Sequence, residues 1–400
     1  MKKNILFVIP SLTTGGAEKS LYGLLKYWDY EKYNVDVYTF AEKGIYADRL
    51  DERVNVISDN SLYRDVFFKG MFSSFKSLLK RGRIGLAFFR IIWGLEPVLY
   101  KLAGKKCYRN SRFDWFVQKK AMLRLDKHYD IAVGYMEGGP NYYVSDVVNA
   151  DVKIGWIHTD YSKTYPNVHL DTTHFSKMKN VVTVSENSKR EILKLMPHLS
   201  EKLVVIPNVI DTQKIDRMIG ETVLEKDSKY AICSVGRLVK LKGFDIAVNT
   251  AKLLSDEGID FKWYIVGSGD EEDNLRSQIK SLCLEDKVVL TGSTENPYSY
   301  MNMADVCVQL SEYEGRPLVV DEAKYLLKPI VASNIGAHLD LIEDGKNGLI
   351  SERNPESVAK AVKEVLFDAR LATQIRNNLE NNRFDDKKIA EAVEKLWLFG

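Results

Sequence analysis

The feature that most constrains this chain is a regular alternation of short apolar runs with longer amphipathic ones. The short runs are rich in β-branched residues and almost uninterrupted, which is typical of parallel strands buried on both faces. They lie at 5–9, 35–40, 54–57, 131–134, 152–157, 181–184, 203–206, 231–235, 261–266, 288–290, 306–310 and 330–332. Helical patterns, such as those at 21–28, 245–254 and 275–282, lie between them. Strand and helix in alternation predict an α/β fold built on parallel sheets.

The strand–helix pattern begins twice, which indicates two domains. A chain of 400 residues allows two or three domains at roughly 150 residues each. We expect two doubly wound, Rossmann-like domains that face a central cleft, with ligands beyond the carboxyl ends of the strands. The predicted boundaries are an N-terminal domain at 1–206, a C-terminal domain at 207–385 after a hinge at 207–211, and a final helix at 386–400. The pattern leaves open which of the two halves this last helix belongs to.

Composition and cysteine spacing exclude several classes of protein. Hydrophobic residues make up 45% of the chain and charged residues 28%, which is not the composition of a disordered protein. The four cysteines occur singly, without the spacing of a zinc ribbon or a disulfide framework. The apolar run at 5–9 is too short for a signal peptide, and no run approaches the roughly 20 residues that span a bilayer. These patterns predict a cytoplasmic protein.

One segment, 61–125, interrupts the alternation and is strongly basic. It holds 15 Lys and Arg against three Asp and Glu, with aromatic residues between the charges. Such a segment is typical of a membrane-surface element, and anionic lipid attracts its basic residues by about 1 kcal/mol each. The residues expected at this surface are Lys80, Arg81, Arg83 and Arg90. A solvated helical hairpin with aromatic residues in the core is the alternative. Nucleic acid is disfavoured because no nucleic-acid-binding module accompanies the patch.

The most informative local pattern is the segment 311–323, which follows the predicted strand at 306–310. Its turn leads into a helix, so backbone N–H groups and the positive end of the helix dipole are open to phosphate or a polar sugar. Glu314 and Glu322 are eight residues apart, and a helix that begins near Pro317 places one in the loop and one about a turn in. Both carboxylates can then face one ligand, whose hydroxyl groups are natural partners. A helix-entry loop with a dipole-compensating glutamate is an equally consistent interpretation.

A second glycine-containing loop, 236–243, follows the predicted strand at 231–235 and carries Arg237 and Lys242. Arginine offers a planar fork to phosphate and lysine a point charge. Together they could neutralise a leaving diphosphate. A basic loop in solvent is the alternative. The nearby pattern at 267–269, Gly-Ser-Gly, is more typical of a tight turn than of a binding loop.

The first loop of the chain contains Gly15 and Gly16, which would let the backbone approach a ligand closely. A plain strand-to-helix turn is the alternative. The loop lacks G-x-G-x-x-G, which disfavours a nicotinamide cofactor. The chain also has no Asp-x-Asp at a strand end and no H-E-x-x-H, so no catalytic metal is indicated. Phosphate-loop and nucleophile-elbow patterns are missing too.

Four more candidates follow predicted strands of the first half. His158 and Asp160 come after 152–157, while Glu137 and Gly138 come after 131–134. The carboxyl ends of parallel strands meet at one edge of a sheet, so these residues are expected to line the cleft. A structural role for a lone histidine stays open at this point.

At these positions the chain resembles the family-4 glycosyltransferases, also called glycosyl transferases group 1, which have two Rossmann-like halves and the GT-B fold. Glu314 and Glu322 are similar to the E-x7-E element of the family, and Arg237 and Lys242, each beside a glycine, to its diphosphate-binding pair. The segment 15–18 is similar to its N-terminal glycine loop, and 207–211 to its interdomain P-N-G-V-D. The chain departs from the family at 324–328, where smaller residues and Gly are usual.

The resemblance implies a retaining transferase that uses a nucleotide-sugar donor and neither a metal nor another cofactor. Arg237 and Lys242 would hold the diphosphate, Glu322 the ribose, and Glu314 the donor sugar. His158 would contact sugar and acceptor. The remaining donor contacts would come from Gly15, Gly16, Gly315, Arg316, Pro317, Leu318 and Val319. The family is thought to let the diphosphate oxygen take the proton of the acceptor, so no protein nucleophile is required. In this family the final helix often crosses back onto the first half, which the resemblance implies for 386–400.

Together with the basic segment, the resemblance predicts a bacterial enzyme of capsule or other cell-surface polysaccharide synthesis. It would be peripheral at the inner face of the cell membrane, beside a lipid-linked or glycan acceptor, with UDP as the expected donor nucleotide. The alternatives are a non-catalytic GT-B partner of another transferase and a sugar-nucleotide epimerase. The intact acidic and basic site residues argue against the first. A membrane-binding insertion would serve no purpose for the soluble substrate of the second.

Overall fold

A computed structural model describes residues 2–13, 15–40, 44–58, 62–67, 70–102, 112–164 and 166–398. The chain divides into two compact units. The first consists of Met1–Val184, Ser188–Val209 and Lys387–Gly400, and the second of Ser185–Asn187 and Ile210–Asp386. The boundaries predicted from the sequence, after residues 206 and 385, lie close to the changes after Val209 and Asp386.

The first unit contains a parallel sheet of seven strands in the described part of the chain. The strands are β1 (Lys3–Ile9), β2 (Tyr33–Thr39), β3 (Val54–Ser58), β4 (Tyr129–Gly134), β5 (Ala150–Ile157), β6 (Asn180–Thr183) and β7 (Leu203–Val205). Their order in the sheet is β3-β2-β1-β4-β5-β6-β7. The helices are α1 (Gly16–Lys26), α2 (Leu62–Phe67), α3 (Met71–Lys80), α4 (Ile84–Leu102), α5 (Arg112–Ala121), α6 (Gly139–Asp146), α7 (Val168–Phe175) and α8 (Glu186–Leu195).

The second unit contains a parallel sheet of six strands. Its elements are α9 (Thr212–Glu221), β8 (Tyr230–Val235), α10 (Phe244–Asp256), β9 (Phe261–Val266), α11 (Glu272–Ser281), β10 (Val288–Gly292), α12 (Pro297–Met303), β11 (Val306–Gln309), α13 (Leu318–Tyr325), β12 (Ile330–Ser333), α14 (Gly336–Leu339), β13 (Leu349–Ser351), α15 (Pro355–Phe367) and α16 (Ala369–Glu380). The strand order is β10-β9-β8-β11-β12-β13. Only β13, three residues long, was not predicted from the sequence. The predicted α/β class with two Rossmann-like parallel sheets is confirmed.

The uninterrupted apolar sequence of β1 has the predicted cause, burial on both faces. Side chains alternate along a strand, and Ile5, Phe7 and Ile9 pack in one cluster with the side chains of α1. Leu6 and Val8 point the other way, into a cluster that also holds residues of α3, α4 and α5. All five side chains are fully buried. Helices on both sides of the sheet therefore follow directly from the strand sequence.

The basic segment forms helices α2 to α5 in the described residues, and the part at 103–111 lies outside them. Its aromatic residues divide between the two predicted roles, because Phe89 and Trp115 are buried in the core whereas Phe72 and Phe88 are exposed. Lys80, Arg81 and Arg83 are exposed at the turn between α3 and α4, as expected of a surface patch.

The prediction for Arg90 was wrong. Its side chain is 8% exposed, and the guanidinium carbon lies 5.0 Å from the centre of the Trp93 ring. The aliphatic stem and the aromatic contact keep Arg90 on the core side of α4. It therefore belongs to the packing of the helix and not to the exposed basic patch. Within the described ranges, no helix is both long and apolar enough to cross a bilayer.

The last helix, α17 (Asp386–Leu398), packs in the core of the first unit. Ala390 and Val393 are buried in the same cluster as the side chains of β1 and β2. The hydroxyl of Tyr33 donates a hydrogen bond of 2.9 Å to Oε1 of Glu394. This helix thus completes the apolar layer over one face of the first sheet.

We expect Val393→Ala to destabilise the first unit by about 2 kcal/mol, because it removes two methyl groups from a fully buried position. Hydrogen exchange followed by mass spectrometry should show faster exchange in β1 and β2, and unchanged exchange in β8 and β11. Glu391→Ala, an exposed position of the same helix, is the control. Equal effects of both variants, or faster exchange in β8, would contradict this packing.

Candidate functional site

The candidate residues lie where each strand order reverses, at the carboxyl ends of the strands. In the first unit the order reverses between β1 and β4, and in the second between β8 and β11. In parallel α/β sheets this is the position where ligands bind, since neighbouring loops leave the sheet in opposite directions there. The loops after β1, β4, β8 and β11 carry most of the residues predicted from the sequence, and the loop after the neighbouring strand β5 carries His158 and Asp160.

The loop 236–243 after β8 presents two basic side chains. Gly243 at its end has φ +69°, and an added Cβ would lie 2.5 Å from the carbonyl oxygen of Leu310. Only glycine lets the chain enter α10 this close to the end of β11. Lys242 is mostly shielded, with a side-chain exposure of 17%. Arg237 is exposed and, in the part of the chain that the structure describes, has no ion-pair partner.

The pattern at 267–269 braces this loop as a tight turn, which agrees with its interpretation from the sequence. Gly267 has φ +147°, and an added Cβ would lie 1.9 Å from the carbonyl oxygen of Gly236. The N–H of Leu238 donates to the carbonyl oxygen of Ser268 at 2.9 Å, and the Leu238 side chain is fully buried. The basic loop is thereby held on the ends of two strands.

An ion pair joins the basic loop to the loop after β11. Nζ of Lys242 donates to Oε1 of Glu314, and Oγ of Ser311 donates to the same oxygen at 2.7 Å. Ser311 in turn accepts a hydrogen bond of 3.1 Å from Nε2 of Gln309. Glu314 is only 16% exposed, so its attraction to the ammonium group is less screened than that of a surface pair. The structure thus brings together two site residues that are 72 positions apart in the chain.

Ser333 and His338, which the sequence analysis did not single out, extend this network. Oγ of Ser333 donates to the carbonyl oxygen of Ser311 at 2.6 Å, and Nδ1 of His338 lies 2.8 Å from the carbonyl oxygen of Ser333. Because a carbonyl oxygen only accepts, Nδ1 must carry the proton. Burial lowers the pKa of His338 despite the opposing effects of this hydrogen bond and of nearby Glu314. In the sequence, the one signal for His338 was its position shortly after the end of a predicted strand, where ligand-binding residues gather.

Helix α13 begins at Leu318, next to the predicted start at Pro317, and its N-terminus has no side-chain cap. Among the described residues, the N–H groups of Leu318 and Val319 donate no hydrogen bond. An uncapped helix N-terminus offers these donors and a partial positive charge to an anion. Glu322 lies in the second turn, as expected, with only 1% of its surface exposed.

Arg316 has a structural role that the sequence analysis did not foresee. Its Nε and Nη2 donate to the two carboxylate oxygens of Asp321 at 2.7 and 3.0 Å. This bidentate pair, mostly buried, ties the loop to the first turn of α13. The Arg316 side chain is therefore used within the loop, and the expected donor contact through backbone N–H groups of this segment stays a prediction. Gly315 is buried beside it.

The glycine loop of the first unit is occupied by a carboxylate of its own. Glu18, in the first turn of α1, folds back so that an added Cβ at Gly15 would lie 2.1 Å from its Oε2. Its Oε1 accepts a hydrogen bond of 3.2 Å from Ser11. Gly15 and Gly16 thus leave room for the Glu18 side chain at the helix N-terminus, where a negative charge is stabilised. A phosphate group would meet repulsion there, so hydroxyl groups fit this loop better.

Glu137 and His158 meet at the carboxyl ends of β4 and β5. Oε2 of Glu137 accepts a hydrogen bond of 3.0 Å from the backbone N–H of His158. Burial raises the pKa of the Glu137 carboxyl, although this hydrogen bond opposes the shift. Gly138, at φ +76° with open space around it, caps α6. These predicted residues are therefore neighbours, as the strand order requires.

The imidazole of His158 is 9% exposed and lies against the rings of Tyr135 and Trp156, with centroid distances of 4.8 and 5.8 Å. Both ring nitrogens are buried, and neither has a hydrogen-bond partner. Asn208 is near enough to favour the charged ring, but no pair of atoms between them has hydrogen-bond geometry. Burial dominates and lowers the pKa of His158 to about 3. The ring is therefore neutral near pH 7.

Asp160 caps a short turn and does not lie free in the site. Its Oδ1 accepts hydrogen bonds from the N–H and hydroxyl of Ser162, at 3.2 and 2.7 Å. The side chain is 7% exposed. The carboxylate thus supports the one-turn helix Tyr161–Lys163 that follows His158, and its expected contact with an acceptor stays a prediction.

Comparison with known proteins places this architecture in a family. The model of the family described as glycosyl transferases group 1 matches residues 218–382. A glycosyltransferase of Haemophilus influenzae whose activity is uncharacterized is 31% identical over 256 residues, covering 61% of this chain and 69% of that protein. This chain is a group 1 glycosyltransferase.

Two further relatives of this glycosyltransferase have named activities. The poly(ribitol-phosphate) α-N-acetylglucosaminyltransferase of Staphylococcus aureus is 24% identical over 75% of this chain and 60% of its own length. The Campylobacter jejuni N-acetylgalactosamine-N,N'-diacetylbacillosaminyl-diphospho-undecaprenol 4-α-N-acetylgalactosaminyltransferase is 30% identical over 59% of this chain and 68% of its own length. The matched region spans about two thirds of the length of these relatives.

Solved structures confirm the GT-B fold of this glycosyltransferase. Anabaena Alr3699/HepE, determined with UDP and glucose, matches with a TM-score of 0.67 and 18% identity over 98% of both chains. Staphylococcus aureus TarM, determined with UDP, α-GlcNAc-glycerol and fondaparinux, matches with a TM-score of 0.66 and 17% identity over 99% of both chains. At this level of identity the match establishes the fold.

The departure from the family at 324–328 is accommodated in the glycosyltransferase by local contacts. Leu327, after the end of α13, has φ +57°, a conformation that favours glycine. Nζ of Lys324 donates to the carbonyl oxygen of Leu341 at 2.9 Å, and the hydroxyl of Tyr325 donates to Asp216 at 2.7 Å. The larger side chains therefore anchor α13 to its neighbours.

In the described ranges, no three His, Cys, Asp or Glu side chains are grouped to hold a metal ion.

Neutral His158 should make the glycosyltransferase sensitive to acid. Its folded pKa of about 3 lies below the unfolded value of roughly 6.5, so below pH 6.5 the unfolded chain binds a proton that the folded chain does not. Between pH 7 and 5 this should lower the free energy of unfolding by about 2 kcal/mol. Urea unfolding of His158→Asn should show a pH difference smaller by about that amount.

The control for this prediction is His198→Asn, because His198 is exposed in the same unit. It should leave the difference between pH 7 and pH 5 unchanged. If His158→Asn keeps the full pH dependence of the unmodified protein, the buried neutral state of His158 is wrong.

Proposed function

We propose that this chain transfers a sugar from UDP-sugar to a lipid-linked or glycan acceptor, with retention at the anomeric carbon and without a metal ion. The reaction would serve the assembly of a bacterial cell-surface polysaccharide such as a capsule. Its place would be the inner face of the cell membrane, where a lipid-linked acceptor is found. The single observation that carries the proposal is the Lys242–Glu314 pair beside the uncapped N-terminus of α13.

This pair has the charges that the two ends of a donor require. A diphosphate is anionic and needs cations and N–H donors, whereas a sugar presents neutral hydroxyl groups that pair well with a carboxylate. Lys242 and Glu314 neutralise each other when no donor is bound. An incoming diphosphate would take Lys242 as its partner and leave the Glu314 carboxylate to accept hydrogen bonds from the sugar.

Exposed Arg237 adds a second cation next to Lys242 in the same loop. In the transfer step the bond between the anomeric carbon and the diphosphate oxygen breaks, and negative charge accumulates on the diphosphate. Two cations and the N–H groups of Leu318 and Val319 would stabilise that charge without a metal ion. Glu322, one helical turn further on, would be the partner of the ribose hydroxyls.

Retention follows in this proposal if the acceptor attacks from the face that the diphosphate leaves. The diphosphate oxygen then takes the proton of the acceptor hydroxyl, and that oxygen of the acceptor forms the new bond to the anomeric carbon. No protein carboxylate is consumed as a nucleophile. His158, uncharged near pH 7, would contact sugar and acceptor through hydrogen bonds without adding a charge.

The names of the relatives support the proposed substrate classes. They include a poly(ribitol-phosphate) N-acetylglucosaminyltransferase, a transferase acting on a diphospho-undecaprenol acceptor, and the capsular polysaccharide glycosyltransferase CapM of Staphylococcus aureus. Structural neighbours were determined with UDP, UDP-glucose or UDP and a sugar. Exposed Lys80, Arg81 and Arg83 support a position at an anionic membrane surface.

We expect UDP to stabilise the protein and GDP and ADP to do so less, with the UDP effect unchanged by EDTA. A ligand at about 100 times its dissociation constant adds roughly 2.7 kcal/mol to the free energy of unfolding. Arg237→Ala should weaken UDP binding by about 10- to 100-fold, because it removes a charged hydrogen-bond donor. A thermal-shift titration measures both effects.

Arg276→Ala is the matched control, since Arg276 is an exposed arginine of the same unit whose guanidinium pairs with Glu272 on α11. It should bind UDP normally. The absence of a shift with every nucleotide would point to the non-catalytic GT-B partner. A sugar altered on the nucleotide without any acceptor would point to the epimerase.

We expect Glu314→Gln to separate nucleotide binding from sugar transfer. UDP itself should bind at least as tightly, because Lys242 loses its internal partner. The kcat/KM for the UDP-sugar that the unmodified protein uses should fall about 100-fold, because the carboxylate that accepts from the sugar is lost. Calorimetry with UDP and an assay of released UDP measure the two quantities.

Glu312→Gln, an exposed glutamate of the same loop, should leave both quantities unchanged. If Glu314→Gln weakens UDP and UDP-sugar to the same extent, Glu314 acts on the diphosphate loop and not on the sugar, and the proposed division of roles is wrong.

A further inference from the structure

Helix α4 carries a continuous apolar stripe on its outer face. Ile84, Phe88, Ile92 and Leu95 follow one another at intervals of four, four and three residues and are 47–61% exposed. Leu102, two turns beyond Leu95, is 81% exposed. This spacing puts the side chains on one face of the helix. A helix on the surface of a water-soluble domain normally shows polar residues on that face.

The opposite face of α4 is also apolar and is already used. Ala87 and Phe89 are buried in the core of the first unit, and Trp93 packs against it. The outer stripe is therefore separate from the face by which α4 joins the core. It is a second apolar surface that no described part of the chain covers.

Helix α3 extends the stripe. The rings of Phe75 and Phe88 meet edge to face at 6.4 Å, which joins the outer faces of the two helices. Phe72 and Leu79 lie three positions before and four after Phe75, so they share its face. They are 81% and 41% exposed. The α3–α4 hairpin thus presents a broad apolar surface, larger than scattered exposed side chains would form.

Basic residues flank this surface at the hairpin turn. Lys80, Arg81 and Arg83 are exposed at the hairpin turn, where Gly82 has φ +67°. Glu96 is the one acidic residue between positions 70 and 102. An apolar stripe with a basic border fits an anionic lipid surface. A second copy of this chain would bring the same positive charge to the contact.

We infer that α4 lies in the plane of the membrane interface with its outer stripe inserted among the lipid chains. This inference deepens the membrane location in the proposed function, and it replaces adsorption through charge alone by insertion of a helix. At about 1.5 Å per residue the 19 residues of α4 are about 28 Å long. The described helix is not apolar enough to span a bilayer, so it would lie along the surface. Burial of its stripe then supplies an attraction that salt does not screen.

Vesicle flotation tests insertion without donor or acceptor, so its result does not depend on glycosyl transfer. The probes are vesicles of phosphatidylcholine with about 30% phosphatidylglycerol, in 0.1 M and 1 M NaCl. At 1 M the screening length is about 3 Å, which removes attraction by charge. We expect the protein to stay bound at 1 M NaCl. The double variant F88S/I92S should bind at least about 100-fold more weakly at both salt concentrations.

Matched variants complete the experiment. V223S/F367S changes two exposed apolar side chains of the second unit, which are 81% and 56% exposed, and should bind as the unmodified protein does. K80E/R81E/R83E should weaken binding at least tenfold at 0.1 M NaCl. The UDP-induced thermal shift, measured on every variant, shows that the fold and the donor site are intact independently of lipid binding.

Binding that vanishes at 1 M NaCl, or that is unaffected by F88S/I92S, would overturn insertion and leave adsorption by charge. No binding to vesicles, together with a dimer in sedimentation velocity that F88S/I92S abolishes, would overturn it in favour of a second copy. Failure of the UDP shift with intact vesicle binding would count against the proposed transferase and leave the inserted helix standing.

Discussion

Burial of both faces of parallel strands is the constraint on which this structure depends. Every residue of β1 from Ile5 to Ile9 is fully buried, with alternate side chains in two separate apolar clusters. A sheet of this kind has no room for chemistry on its faces. Polar groups can gather only in the loops at the strand ends, and the reversal of strand order opens a space between two of those loops. The same reasoning applies to β8 and β11 in the second unit.

In the Lys242–Glu314 pair, each charged side chain of the loop site is stabilised by the other. A partly buried charge that loses its partner is costly, so each group needs the other while no donor is bound. Ser311 fixes the carboxylate, and Ser333 fixes the backbone of Ser311. His338, buried at the end of this chain of hydrogen bonds, is held neutral and adds no third charge. A diphosphate would take the place of the Glu314 carboxylate as the partner of Lys242, and hydrogen bonds from the hydroxyl groups of the sugar would then compensate that carboxylate.

Local sequence patterns predicted the fold and the loops of the site well, because their causes are local. Apolar runs marked all strands except β13, and the start of α13 near Pro317 followed from the turn before it. Side-chain partners were not predictable in this way. Nothing in the order of residues shows that Arg316 turns back to Asp321 and not outward to a ligand, or that Glu18 folds over Gly15. These contacts depend on which rotamer the surrounding packing allows.

Side-chain burial on α4 was likewise not predictable from local sequence, because one face of the helix packs in the core and the other is exposed. Composition and charge of the segment 61–125 predict a basic, aromatic helical region, and they leave open which aromatic residue faces the core. Arg90 and Phe88 are two positions apart, yet the structure buries the arginine and exposes the phenylalanine. Two residues correspond to about 200° of helix rotation, so they must lie on nearly opposite faces. Since the core takes the face of Ala87, an apolar outer stripe is forced on the helix by its own sequence. A chain that keeps such a stripe in water needs something apolar to cover it, and the proposed lipid surface would do so while its headgroups meet Lys80, Arg81 and Arg83.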